Sequence, residues 1–269
     1  MENHPGKARN NIRALILLAV LFPLLSCMPK KTEIPMAEMP AGPVLTALEL
    51  RVHSFSSLKA VAGVEIRKSG RPRSFDTVGI VVDGQRRFRM EAFGPLGQSL
   101  AAVVWDGREV SLRLPDQEHV ARRSPDALAQ ILGEGVDPAE FCAVLAGSFP
   151  AAALTAHSRL LCAGNGDCVL VLDEGKTMRK IRLYSPLTPK SDGPRIRSYE
   201  LIRSGETAFL ARFEDMAEIS HYPIPLQIII ENTKKNIRIS IRYSDVDMNV
   251  PVHDDAFSLP DEEAPSKGQ

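Results

Sequence analysis

The chain has 269 residues, 33 of them basic and 33 acidic, and so no formal net charge at neutral pH. A balanced chain without a basic block excludes a nucleic-acid partner held by a cationic face. One apolar run stands out, Ala14 to Leu25, and it is shorter than the roughly 20 residues that a membrane-spanning helix needs.

That run reads ALILLAVLFPLL, follows a stretch carrying Lys7, Arg9 and Arg13, and ends in Leu24-Leu25-Ser26-Cys27. Basic region, apolar core and small residue in that order read as a secretory signal peptide. The end resembles a lipobox, where a small side chain precedes the scissile bond and the cysteine thiol takes a diacylglycerol. The alternative is an ordinary signal peptide that happens to have a cysteine near its end. On the lipobox reading residues 1–26 are removed, and Cys27 carries a diacylglycerol and an N-acyl chain, enough chains for stable anchoring. No other cofactor is expected. Met28 stands where an aspartate would signal inner-membrane retention in enteric bacteria, which favours the outer membrane, on its periplasmic face.

Residues 27–43 are rich in proline and read as a flexible tether. Leu45, Leu48, Val52 and Phe55 recur at helical spacing over Val44 to Leu58. The period then changes to two. Strands are predicted over Val61–Arg67, Ser74–Val82, Arg86–Phe93, Ser99–Trp105 and Glu109–Leu114, with a turn at Arg71–Ser74. Asp83-Gly84 and Asp106-Gly107 are hairpin signals, so these strands run antiparallel in series. Ser124-Pro125 opens a short helix that Gly133 ends, and Asp137-Pro138 opens another that Gly147 ends. Strands resume at Val169–Leu172, Met178–Tyr184, Ile196–Arg203, Thr207–Phe213, Leu226–Glu231 and Ile237–Tyr243, then a short element at Phe257–Pro260.

The expected fold is therefore mainly β with a few helices. A single curved antiparallel sheet forms an incomplete, half-closed β-barrel covered by a helical lid. It occupies residues 44–260, and residues 261–269 are read as a disordered acidic tail. Val78, Ile80, Phe88 and Met90 are candidates to face an apolar groove; period-two alternation equally allows that they fill a core. Cys162 and Cys168 flank a glycine-rich turn and could close a small disulfide loop in an oxidising compartment, or stay reduced together with Cys142. The histidines are scattered, with no metal-ligand spacing and no nucleophile beside them, so neither a catalytic nor a metal site is expected.

Several stretches then combine: RRFRMEAF (Arg86–Phe93), GPLGQ (Gly94–Gln98), SPDALAQILG (Ser124–Gly133), DPAEFCAVLAG (Asp137–Gly147) and IPLQIII (Ile224–Ile230). In this order, behind a lipobox, they resemble the LolB family, outer-membrane receptors that accept lipoproteins, and more distantly the soluble periplasmic carrier LolA. The resemblance is strongest from Lys59 to Phe149; Ala151 to Pro194 matches poorly and looks lengthened. It implies a monomeric half-barrel whose groove takes lipoprotein acyl chains delivered by a periplasmic carrier. It also implies a membrane-insertion loop, Pro95-Leu96-Gly97, whose leucine protrudes into solvent and helps push cargo into the bilayer. The competing reading is a lipid-binding, structural or assembly lipoprotein that uses the same fold as a protein-binding module; a solid groove would favour it.

Overall fold

Two residues with positive φ, Ser69 at 49° and Gly70 at 80°, turn the chain between a pair of long strands, β2 (Ser57–Lys68) and β3 (Arg71–Asp83). A two-residue turn of this hand matches the twist of the flanking strands. The turn was expected at Arg71–Ser74, but those residues continue the β-ladder, with Lys68 opposite Arg71 and Ile66 opposite Arg73. Gly84 and Gly107 supply positive φ at the next hairpins, where Asp106 Oδ1 accepts from the amides of Arg108 and Glu109 at 2.7 and 2.9 Å.

The computed structural model describes residues 36–114, 121–124, 128, 132, 136–184 and 194–259. The expected signal peptide, Cys27, most of the Ser124–Gly133 helix and the tail from 261 lie outside the described residues. The described strands form one antiparallel sheet that does not close into a barrel. After β1 (Met36–Met39) and helix α1 (Gly42–Ser54), β2 and β3 are followed by β4 (Arg87–Phe93), β5 (Ser99–Trp105), β6 (Val110–Arg113) and β7 (Ala121–Arg123). Helix α2 (Pro138–Leu145) separates these from β8 (His157–Ala163), β9 (Cys168–Asp173), β10 (Thr177–Tyr184), β11 (Arg195–Arg203), β12 (Glu206–Ile219), β13 (Tyr222–Asn232) and β14 (Ile237–Met248). The order is β1-β8-β9-β10-β11-β12-β13-β14-β2-β3-β4-β5-β6-β7. Two meanders are thus joined where β14 lies against β2. The expected half-closed barrel with helices against it is the fold observed.

Three strands fall where none was expected. Met36–Met39 sits within the supposed tether yet pairs with β8, Met36 opposite Ala163, so the sheet begins eight residues before the expected boundary at 44. β8 and β7 are short or polar enough to lack a clear alternation. β13 also starts earlier than expected, at Tyr222, through Pro223 and Pro225. Its ladder to β14 begins only at Gln227, so the prolines lack an amide where no β14 partner would receive one.

Helix α2 is buried on nearly every side because the sheet curls around it. Asp137 caps its N-terminus, accepting from the Glu140 amide at 2.7 Å, and Pro138 occupies the first turn. At its other end three orphan carbonyls find side chains from three elements. Tyr243 donates to the Leu145 carbonyl at 2.9 Å, Tyr222 to Ala146 at 3.3 Å and Arg51 to Gly147 at 2.9 Å. Arg51 also donates to the Pro223 carbonyl at 2.7 Å and lies over the Tyr222 ring, which ties α1 to the same corner. Gly147 is required there. Its φ is +65°, and a Cβ would meet Pro225 at 2.2 Å.

Candidate lipid-binding site

Cross-strand register decides where the concave face is solid and where it is hollow. Nearest the α2 side, Leu58, Val82, Phe88, Trp105 and Val110 form one row across β2 to β6. Phe88 packs on Trp105 and Phe141 with ring centroids 6.3 and 5.2 Å apart, making an aromatic floor. Two rows further along, the partners are Ala62, Val78, Ala92 and Ala101. Three alanines and a valine in succession cannot fill the concavity that the curled sheet encloses. A cavity of about 980 Å³ opens there. It is walled by residues such as Val64, Phe75, Met90 and Val103, and roofed by Phe141 and the helical Leu128 and Leu132. Among the described residues the other meander has no such row: Tyr199, Phe209, Phe213 and Leu170 are fully buried and fill its concave side.

The four candidate groove residues therefore separate. Val78 and Met90 line the cavity. Ile80 and Phe88 are completely buried and belong to the core beneath it. Ala92, Ala101, Leu112 and Ile239 line the cavity as well and were not singled out from the sequence. The signal for Ala92 and Ala101 is small size at matched register, which is invisible until strand pairing is known; Leu112 and Ile239 are placed by pairing alone, opposite Val103 and Ile66.

The register also fixes which end of the sheet is the mouth. Thr77 pairs with Phe93, so the β4–β5 connection lies at the same end as the β2–β3 hairpin. That connection is tight: the Gly94 amide donates to the Gln98 carbonyl, the Gly97 amide to the Gly94 carbonyl, both at 2.9 Å, and Gly97 has φ +78°. A Cβ on Gly94 would strike the Gln98 side chain at 2.4 Å, and Gln98 Oε1 accepts from the Leu96 amide. Held this way, Leu96 is 93% exposed, far beyond the other large apolar side chains among the described residues.

Three further features belong to the scaffold. Cys162 and Cys168 are joined in a disulfide across the first register pair of the β8–β9 hairpin, with Cα atoms 4.1 Å apart. Cys142 is buried in α2, where burial pushes its thiol pKa well up. Glu140 of α2 is buried against β10 and β11: Tyr199 donates to its carboxylate, and Arg179 reaches it at 3.3 Å and the Tyr199 hydroxyl at 3.1 Å. Burial, outweighing the Tyr199 hydrogen bond and the Arg179 charge, raises the Glu140 pKa. Arg179 also bonds Glu174 at the surface, so the group is a satisfied strut between helix and sheet.

No family model and no curated protein sequence matches the chain. Solved structures do. A LolA superfamily protein from Nitrosomonas europaea superposes with a TM-score of 0.54 at 15% identity, over 82% of this chain and 98% of that one. The fold is LolA-like. A protein described as an outer membrane lipoprotein-sorting protein domain from Vibrio parahaemolyticus gives 0.56 at 15% identity, over 81% and 97%. A DUF1329 family protein from Desulfovibrio piger superposes with a TM-score of 0.53 at 12% identity, over 81% and 97%. At such identities the likeness is one of fold.

Proposed function

We propose that the protein is a membrane-anchored acceptor of lipoproteins, which holds their acyl chains in the cavity above Ala92 and Ala101 and passes them to the outer membrane. The hollow itself is the observation that carries this reading. A core built only for stability is close-packed, whereas a space of 980 Å³ lined mainly by apolar side chains has the size and character of a ligand pocket. Roughly ten chain methylenes brought out of water there contribute on the order of 8 kcal/mol before the costs of binding. Met90 and the leucines of the roof suit chains of varied shape. Leu96, at the mouth end and almost wholly in water, is the residue placed to enter the bilayer first. Cys27 would hold the domain at the membrane through its acyl chains. The LolA-like fold and the lipoprotein-sorting domain among its structural neighbours support the same reading.

Photocrosslinking tests it. A photoreactive side chain at Met90, on the concave face, should label a triacylated lipoprotein presented by its carrier. The same group at Arg89, on the opposite face of β4, should not. Equal labelling from both positions, or none from Met90, would remove the cavity as the acceptor site and favour a protein-binding module.

A further inference from the structure

The strands that wall the cavity change character along their length. On β2 the concave residues run Val64, Ile66, Lys68; on β3, read back toward the hairpin, they run Phe75, Arg73, Arg71. Apolar wall thus gives way to three cations at the mouth, and Arg113 of β6 joins the lining from the other side. No aspartate or glutamate lines the cavity among the described residues. Lys68, Arg71 and Arg73 are exposed, and among the described residues no hydrogen bond or ion pair engages their side chains. In a chain with no net charge, a collar of one sign around the rim of an apolar hollow is a local arrangement.

We infer that the cavity also takes an amphiphile whose head is a phosphate or carboxylate: the chain lies against Val78, Ala92 and Ala101, and the anionic head pairs with Lys68, Arg71 and Arg73. The inference rests on the acyl-chain reading of the cavity and adds the chemistry of the head. Arginine presents a planar fork matched to the oxygens of either group, and lysine adds a mobile point charge. The hairpin position makes the collar a rim through which the chain passes to reach the hollow. A neutral diacylglyceryl group would fit the same hollow but leave these cations in water.

The test uses the full chain in vesicles of phosphatidylcholine carrying a trace of one of two probes, hexadecyl phosphate or hexadecanol, each with a diazirine at the chain terminus. Hexadecyl phosphate should label peptides containing Met90 and Ala101 about tenfold more than hexadecanol does, the scale of one charge-assisted hydrogen bond. Lys68→Gln/Arg71→Gln/Arg73→Gln should bring the phosphate down to the level of the alcohol and leave labelling by the alcohol unchanged. Ala101→Phe, which occupies the hollow, should suppress both probes. Equal labelling by both probes in the unaltered chain would overturn the anionic head while leaving the cavity standing. Absence of cavity labelling by either probe would overturn the acyl-chain reading itself. Phosphate-probe labelling that survives Ala101→Phe would mean a surface contact with anionic lipid. Complete competition by inorganic phosphate would mean a site for the free ion. Either of these last results also overturns the inference.

Discussion

Phe88 and Met90 are two residues apart on the same face of β4, yet their truncation should have very different effects. Phe88 is fully enclosed by Trp105, Phe141 and the neighbouring strands. Phe88→Ala removes a buried ring that the packed floor cannot replace, a loss of about 3–5 kcal/mol. Met90 is half-buried and borders space that is already empty, so Met90→Ala forfeits fewer contacts, about 1 kcal/mol. In a domain of this size each kcal/mol moves Tm by roughly 2–4 °C. Phe88→Ala should therefore lower Tm by about 6–20 °C and Met90→Ala by about 2–4 °C. Thermal and urea unfolding of the two variants measure this directly, with an unchanged urea slope showing that both remain two-state. Binding of a fluorescent fatty acid should shift in Met90→Ala far more than its small stability change suggests. If Met90→Ala destabilises as much as Phe88→Ala, the space beside Met90 is filled and the argument from small residues at matched register fails.

Leu96→Glu should leave Tm within about 1 °C, because a side chain 93% exposed contributes almost nothing to folding. Its partition onto phosphatidylcholine vesicles should fall at least about tenfold, the burial energy of one leucine; an unchanged partition would rule out insertion by this loop. Reduction of the Cys162–Cys168 bond, or Cys162→Ala/Cys168→Ala, should cost about 2 kcal/mol, as expected for so short a closed loop, and be seen as a Tm lowered by roughly 4–8 °C. Glu140 tests the buried strut. Its folded pKa lies above the usual 4.5, so the folded state holds this proton more tightly than the unfolded chain. Its contribution is fully present below pH 4.5 and is lost as pH rises through the folded pKa. The stability difference between the unaltered chain and Glu140→Gln, followed by urea unfolding across that range, should therefore shift against the unaltered chain as pH rises; a difference independent of pH would refute the raised pKa.

Local signals carried most of the strand inventory. Asp83-Gly84, Asp106-Gly107, Glu174-Gly175 and Ser204-Gly205 all mark hairpins in the structure, since a turn needs positive φ and only a few residue types provide it cheaply. The capping Asp137-Pro138 pair located α2, and the alternation in β4 gave the correct concave face. Three things were not legible. β1 is a four-residue, fully exposed edge strand in a proline-rich stretch, held only by its partner β8. The β2–β3 turn was misplaced because Arg71 and Arg73 read as loop residues, while pairing to Lys68 and Ile66 makes them strand. Most important, alternation could not tell Phe88 from Met90, because both point inward. What separates them is that Phe88 lies between Val82 and Trp105 and under the Phe141 ring, whereas Met90, between Ile80 and Val103, borders the next row, Ala62, Val78, Ala92 and Ala101, and that depends on the register of four strands.

The central claim is that lipoprotein passes through this cavity on its way to a membrane. A carrier loaded with triacylated lipoprotein should be mixed with outer-membrane vesicles containing either the unaltered chain or Ala101→Phe, and the lipoprotein recovered in the vesicles measured over time. The account predicts rapid incorporation with the unaltered chain, and incorporation no faster than in vesicles lacking the protein with Ala101→Phe, both chains folding with similar Tm. Equal incorporation with both chains would contradict it.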